Sequence, residues 1–169
     1  MRYRFVDEIV SLALDGAPRI EVAKRFDPGD DVFGWPEGPE RVPDSMLLEL
    51  MAMTGGQLIF RHLGGTRLPL LLKVPECRFD GAASAGDRLS AVATLRGLAP
   101  VADGTSVGEA DAEVYLERVP IAHARLMFVC VEPPGVEASG IEQSRVEPPG
   151  LELPGDDQPG VDSTREPSA

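Results

Sequence analysis

Histidine and cysteine are both scarce in this sequence, with His62 and His123, and Cys77 and Cys130, the only examples of each. A metal site needs several grouped ligands, and these four stand apart from one another, so no metal or other cofactor is expected. Each cysteine is flanked by apolar residues on a predicted strand and reads as a small buried core thiol. The two histidines read as ordinary structural or surface residues. No run reaches the roughly 18 apolar residues that a spanning helix needs, so no membrane span is expected. The first residues, Met1 to Leu14, carry Asp7 and Glu8 where a secretory signal would be apolar; a cytoplasmic location is the default expectation. Positive charge is also in deficit. The net charge is -12 and the pI about 4.5, so phosphate backbones are repelled and nucleic acid is not an expected partner.

What is present divides into two parts. After Val131 the composition changes to Val131-Glu132-Pro133-Pro134-Gly135, Val146-Glu147-Pro148-Pro149-Gly150 and Leu151-Glu152-Leu153-Pro154-Gly155. This degenerate repeat offers little to a core. Residues 133–169 are therefore expected to form an acidic, Pro/Gly-rich disordered tail. Residues 1–132 are expected to form one domain, and their 43% whole-chain hydrophobic content is ordinary for a globular protein.

Within that domain, Phe5 to Leu14 reads as a short helix leading into a strand, and Arg19 to Phe26 as a strand. Asp27 to Pro43, rich in Gly and Pro, reads as a long ordered loop. Pro43-Asp44-Ser45 starts a helix, with Asp44 or Ser45 as its cap. Met46, Leu47, Leu50, Met51, Thr54, Leu58 and Ile59 keep the spacing of its buried face, which runs to about His62. Ala52, Gly55 and Gly56 form a small-residue face that admits a close neighbour, either a strand or a second chain. Gly64-Gly65 ends the helix. Four strands follow: Leu68–Phe79, Leu89–Leu98, Ser106–Glu117 and Pro120–Val131, with Asp103-Gly104 as a turn. One long helix with strands on both sides of it in sequence predicts an α+β fold, an antiparallel sheet wrapped around a helix.

Glu49 is the residue that invites a chemical reading. Leu47, Leu48, Leu50 and Met51 around it are apolar, and a carboxylate there must be solvated, paired or protonated. It either reaches water, pairs with an arginine such as Arg41 or Arg61, or has a function. Asp44, at the helix start, is a second and weaker candidate, with helix capping as the competing role.

The joints between elements sharpen the reading. Tyr3-Arg4-Phe5-Val6-Asp7-Glu8-Ile9-Val10, Val22-Ala23-Lys24, the stretch from Phe33-Gly34-Trp35-Pro36 through Pro39, Pro43, Glu49 and Ala52, then Ala82 to Leu89 around Gly86-Asp87, and His123 to Phe128 follow one another in order. In that order they resemble the 3-hydroxyacyl-acyl-carrier-protein dehydratases over nearly all of residues 1–132. The resemblance implies a hot-dog fold and a hydro-lyase ancestry. It also implies an acyl-carrier-protein or coenzyme A thioester as substrate, a place in fatty-acid or polyketide metabolism, and a homodimer whose sites lie between protomers. By this resemblance the family's catalytic His falls at Gly34, its helix-start Gly at Asp44 and its Gln at Met53. Of the residues that carry the chemistry, Glu49 remains.

Dehydration needs a base for the C2 proton and an acid for the departing hydroxyl, and Gly34 supplies neither. His62 stands roughly 20 Å along the helix from Glu49 at about 1.5 Å per residue. Three functions follow from the resemblance: a diverged dehydratase-like protein, a thioesterase using Glu49 with Asp44 in support, and a non-catalytic acyl-carrier-binding partner. By the same analogy, the Met46 and Leu47 amides polarise the thioester carbonyl. Phe33, Gly34, Trp35 and Met53 would then line the substrate, with core packing an equal alternative for the two aromatics.

Overall fold

A computed structural model of the chain describes residues 5–29, 41–101 and 104–133. Phe33, Gly34 and Trp35, with the tail beyond 133, lie outside the described residues. Seven elements follow in order: β1 (Glu8–Ala13), β2 (Arg19–Arg25), α1 (Asp44–His62), β3 (Leu68–Phe79), β4 (Arg88–Pro100), β5 (Ser106–Leu116) and β6 (Val119–Val131). The strands make one sheet, ordered β1-β2-β4-β5-β6-β3, and every pairing is antiparallel. The expected α+β plan is therefore present, with two strands before the helix and four after it.

The sheet and the helix divide their volume between them. The inward positions of β4, β5 and β6 are mostly small: Ala91, Ala93, Ala110, Ala112, Ala122 and Ala124, all buried. Large side chains come from the helix, where Leu47, Leu50, Met51, Leu58 and Ile59 are fully buried. Small residues on one layer let the other come close, and dense packing follows. A Cβ on Gly108 would stand 2.9 Å from Ile59 Cδ1. One on Gly55 would stand 3.3 Å from the Phe128 ring. The close neighbour of Gly55 and Gly56 is thus the sheet: Phe128 of β6 lies against both, and Pro69 of β3 against Gly56.

Three details depart from the sequence expectations. Phe5 to Leu14 holds no helix: Glu8 to Ala13 pair with Ala23 to Arg19 as an edge strand, with a bulge between Ile9 and Ser11. β-branched Ile9 and Val10 fit a pleated surface, and pairing with β2 overrides a short ambiguous pattern. Met46 is half-buried rather than core. Neither Asp44 nor Ser45 caps the helix: the cap position is Pro43, without a side-chain cap bond, and Asp44 is the first helical residue. Its Oδ1 instead accepts a hydrogen bond from Arg41 Nη2 at 2.8 Å.

The helix start is held from outside. The Val42 amide donates to Ala83 O at 2.7 Å, and the Gly86 amide to Phe26 O at 2.8 Å. Arg41 and Ser84 form an isolated bridge. At the far end, Gly64 and Gly65 take φ of 63° and 74°, and the Gly65 amide donates to Phe60 O at 2.9 Å, which stops the helix as predicted. Near the domain's other edge, Lys24 is almost wholly buried and donates to Asp7 Oδ1 at 3.1 Å, and Asp7 also accepts from the Arg25 amide at 2.7 Å.

The β5–β6 turn places Glu117 and Arg118 at φ of 50° and 72°. That is the backbone of a tight hairpin that favours Asn-Gly, and L residues with larger side chains are strained in it. Replacing Glu117→Asn and Arg118→Gly together is expected to stabilise the domain by about 1 kcal/mol. A later urea midpoint reads this out, and an unmoved midpoint would mean the turn carries no strain.

Candidate active site on the exposed side of the helix

The side of α1 turned away from its core face borders a groove of about 660 Å³, whose other wall is β3. Glu49, Met53, Gln57 and Arg61 recur every four residues and so stack along this side of the helix. Ala52, Gly56 and Phe60 fill between them, and Leu68, Pro69, Leu70, Leu71 and Phe128 complete the lining. Apart from Glu49, Gln57 and Arg61, the lining is apolar. Met53 is 39% exposed, Leu70 45%, and Leu72 just beyond the groove 57%. β3 is the terminal strand of the sheet, so one row of its backbone groups is left without a strand partner among the described residues.

Glu49 is half-buried in this wall. Neither Arg41 nor Arg61 pairs with it: Arg41 is bound to Asp44, and Glu49 and Arg61 form no hydrogen bond or ion pair among the described residues. The helix start is arranged differently from the sequence expectation. The Met46 and Leu47 amides both donate to Pro43 O, at 2.9 and 3.3 Å. They are spent inside the helix and cannot also polarise a thioester. The amides of Asp44 and Ser45 come first in the helix and have no partner among the described residues. The Leu47 side chain is fully buried in the core, so it does not line the groove. Of the candidate site residues singled out in the sequence, Glu49 and Met53 line this groove; Gln57, Phe60, Arg61 and β3's leucines line it without having been singled out as such. A four-residue stripe from Glu49 to Arg61 was the available signal.

The histidines stand elsewhere. His62 is exposed at the last turn of α1. His123 lies on the outer face of the sheet, opposite Glu113 on β5 and Arg78 on β3. There charge meets charge: Arg96 with Asp111 at 2.6 Å, and Arg125 with Glu109 and with Asp111 at 3.5 Å each. Tyr115 donates to Glu113 at 2.6 Å, and that bond, with burial second, pushes its phenol up to about 12. The outer face is self-neutralising, whereas the groove leaves its charged groups open. Cys130 is buried as expected and Cys77 only half-buried; burial, then the Asp44 carboxylate, pushes the Cys77 thiol up, away from nucleophile chemistry. Among the described residues no cluster of His, Cys, Asp and Glu could hold a metal. No helix among them is long and apolar enough to cross a membrane.

With this geometry the chain is similar to solved structures of thioesterases and dehydratases. The dehydratase heterocomplex ApeI:P from Xenorhabdus doucetiae superposes with a TM-score of 0.58 at 16% identity, over 79% of this chain and 86% of that one. Zebra fish thioesterase superfamily member 2 gives 0.55 at 14%, over 72% and 79%. The Streptococcus mutans protein smu.793, solved bound to acetyl CoA, gives 0.55 at 15%, over 80% and 96%.

The chain has the hot-dog fold.

No family model matches it, and no curated protein does. At these identities the likeness is one of fold, so the chemistry of this hot-dog domain has to be argued from its own groove.

Proposed function

We propose that this hot-dog protein binds acyl thioesters of acyl-carrier protein or coenzyme A in the α1–β3 groove, and hydrolyses them with Glu49 as general base. The observation that carries the reading is one carboxylate, without a partner among the described residues of its own chain, on the wall of a groove whose other lining is apolar except for Gln57 and Arg61. An apolar lining suits an acyl chain. The helix sits too close on the sheet at Gly55 and Gly108 for a chain to pass beneath it at those points.

A lone carboxylate suits hydrolysis. Water adds to the thioester carbonyl while Glu49 takes one of its protons; the C–S bond then breaks, and the proton returns to the leaving thiolate, giving a carboxylic acid and a free thiol. Dehydration of a 3-hydroxyacyl thioester needs both a base and an acid, and neither histidine lines the groove with Glu49. The acetyl CoA in the Streptococcus mutans neighbour supports a thioester ligand. The unpaired edge of β3 and its exposed leucines support a homodimer in which a second copy closes the groove.

Purified protein incubated with a panel of saturated and 3-hydroxyacyl thioesters tests this. Release of free thiol without enoyl absorbance is the expected result. Enoyl product would return the protein to the dehydratase reading. Binding with neither product would make it a non-catalytic acyl-thioester partner.

A further inference from the structure

Glu49 and Arg61 are opposite charges at the two ends of one exposed helical stripe, roughly 18 Å apart at about 1.5 Å per residue. Neither has a partner among the described residues. They stand equidistant from Gly55 along α1; Met53 and the uncharged Gln57 lie between them in the stripe, with Ala52, Gly56 and Phe60 beside it, so no other charge intervenes on this face. β3 beside them is an edge strand.

We infer that Glu49 of each copy pairs with Arg61 of a second copy, across a two-fold axis level with the middle of α1. The inference rests on the dimer reading above and names its contact. Under such an axis the two helices run antiparallel. The acidic end of one stripe then meets the basic end of the other, twice per dimer, and the two β3 edges face each other. The surface is therefore self-complementary, as an isologous interface requires. A parallel arrangement would set Glu49 against Glu49 and Arg61 against Arg61. The same pairing gives Glu49 an anchor inside an apolar groove, where an unpaired carboxylate is costly. Arg61 is thereby a positioning residue for the carboxylate, with no contact to substrate of its own.

The test is a charge-swap cycle on the full chain, read by sedimentation equilibrium over a wide concentration range. Glu49→Lys alone and Arg61→Glu alone are each expected to weaken dimerisation roughly a hundredfold, because like charges then oppose across the axis. The double variant, with both charges exchanged, is expected to return to within about tenfold of the parent. A parent dimer whose affinity ignores the single changes, or a double variant no tighter than the singles, overturns the pairing and leaves the dimer standing. A parent that stays monomeric overturns the dimer and the pairing together. Circular dichroism melts identify any variant that has lost its fold. For those, the milder cycle of Glu49→Gln, Arg61→Gln and both together replaces it, and additive effects there overturn the pairing.

Discussion

Glu49→Gln is expected to lower the rate of thiol release by roughly a hundred- to ten-thousandfold, the range that a positioned general base supplies. Glutamine keeps the shape of the side chain and its place on the helix but cannot accept the proton from water. The groove around it is mostly apolar and built from other residues, so thioester binding is expected to persist in the variant at protein concentrations that keep it in the parent's oligomeric state. That separation of catalysis from binding, read by product release beside a fluorescence titration with an acyl thioester, distinguishes a base from a wall residue. Asp44→Asn is the matching control. Asp44 is already held by Arg41 at 2.8 Å, at the helix start rather than in the groove, and its loss is expected to change turnover only a few-fold. A Glu49→Gln protein as active as the parent would remove the carboxylate from the mechanism.

The second large effect is on the core. Leu58→Ala is expected to cost about 3–5 kcal/mol, toward the upper part of the range for large-to-small core changes. Leu58 is fully buried on the helix, and the sheet beneath the helix is dominated by alanines such as Ala91, Ala110 and Ala112. Alanine side chains cannot swing into a void, so the cavity stays open and its cost is felt in full. Domains of this size are stable by only about 5–15 kcal/mol, so the change takes a large share of the total. Met53→Ala, one turn earlier but exposed toward the groove, serves as the comparison and is expected to stay within about 1 kcal/mol. Urea unfolding followed by far-ultraviolet dichroism measures both. A Leu58→Ala loss below that of Met53→Ala would mean that the sheet relaxes onto the helix after all.

Both expectations depend on which side of α1 a residue occupies, and that was legible to different degrees. The sequence by itself determined the helix and its ends, because Pro43 and Gly64-Gly65 act through local backbone geometry and leucine spacing acts through helical period. It determined β2 to β6 for the same reason, since alternation and turn residues are local. The α+β plan follows from their order. Glu49 stood out because its immediate neighbours are apolar. What lay beyond sequence was every outcome set by a partner distant along the chain. Residues 8–13 form a strand along their whole length because β2 offers an edge to pair with, which decides a local pattern that is ambiguous by itself. Asp44 does not cap the helix because its carboxylate takes Arg41, a near neighbour in sequence that is itself held in place by its bridge to the distant Ser84. The glycines of α1 answer to Phe128 and Pro69, on strands far along the chain. The groove itself exists because the chain returns as β3 beside α1 at the edge of the sheet, and no local signal fixes which strand takes the edge. Local steric and periodic rules write the elements into the sequence, whereas the partners of each charge and glycine depend on contacts that exist only once those elements have packed.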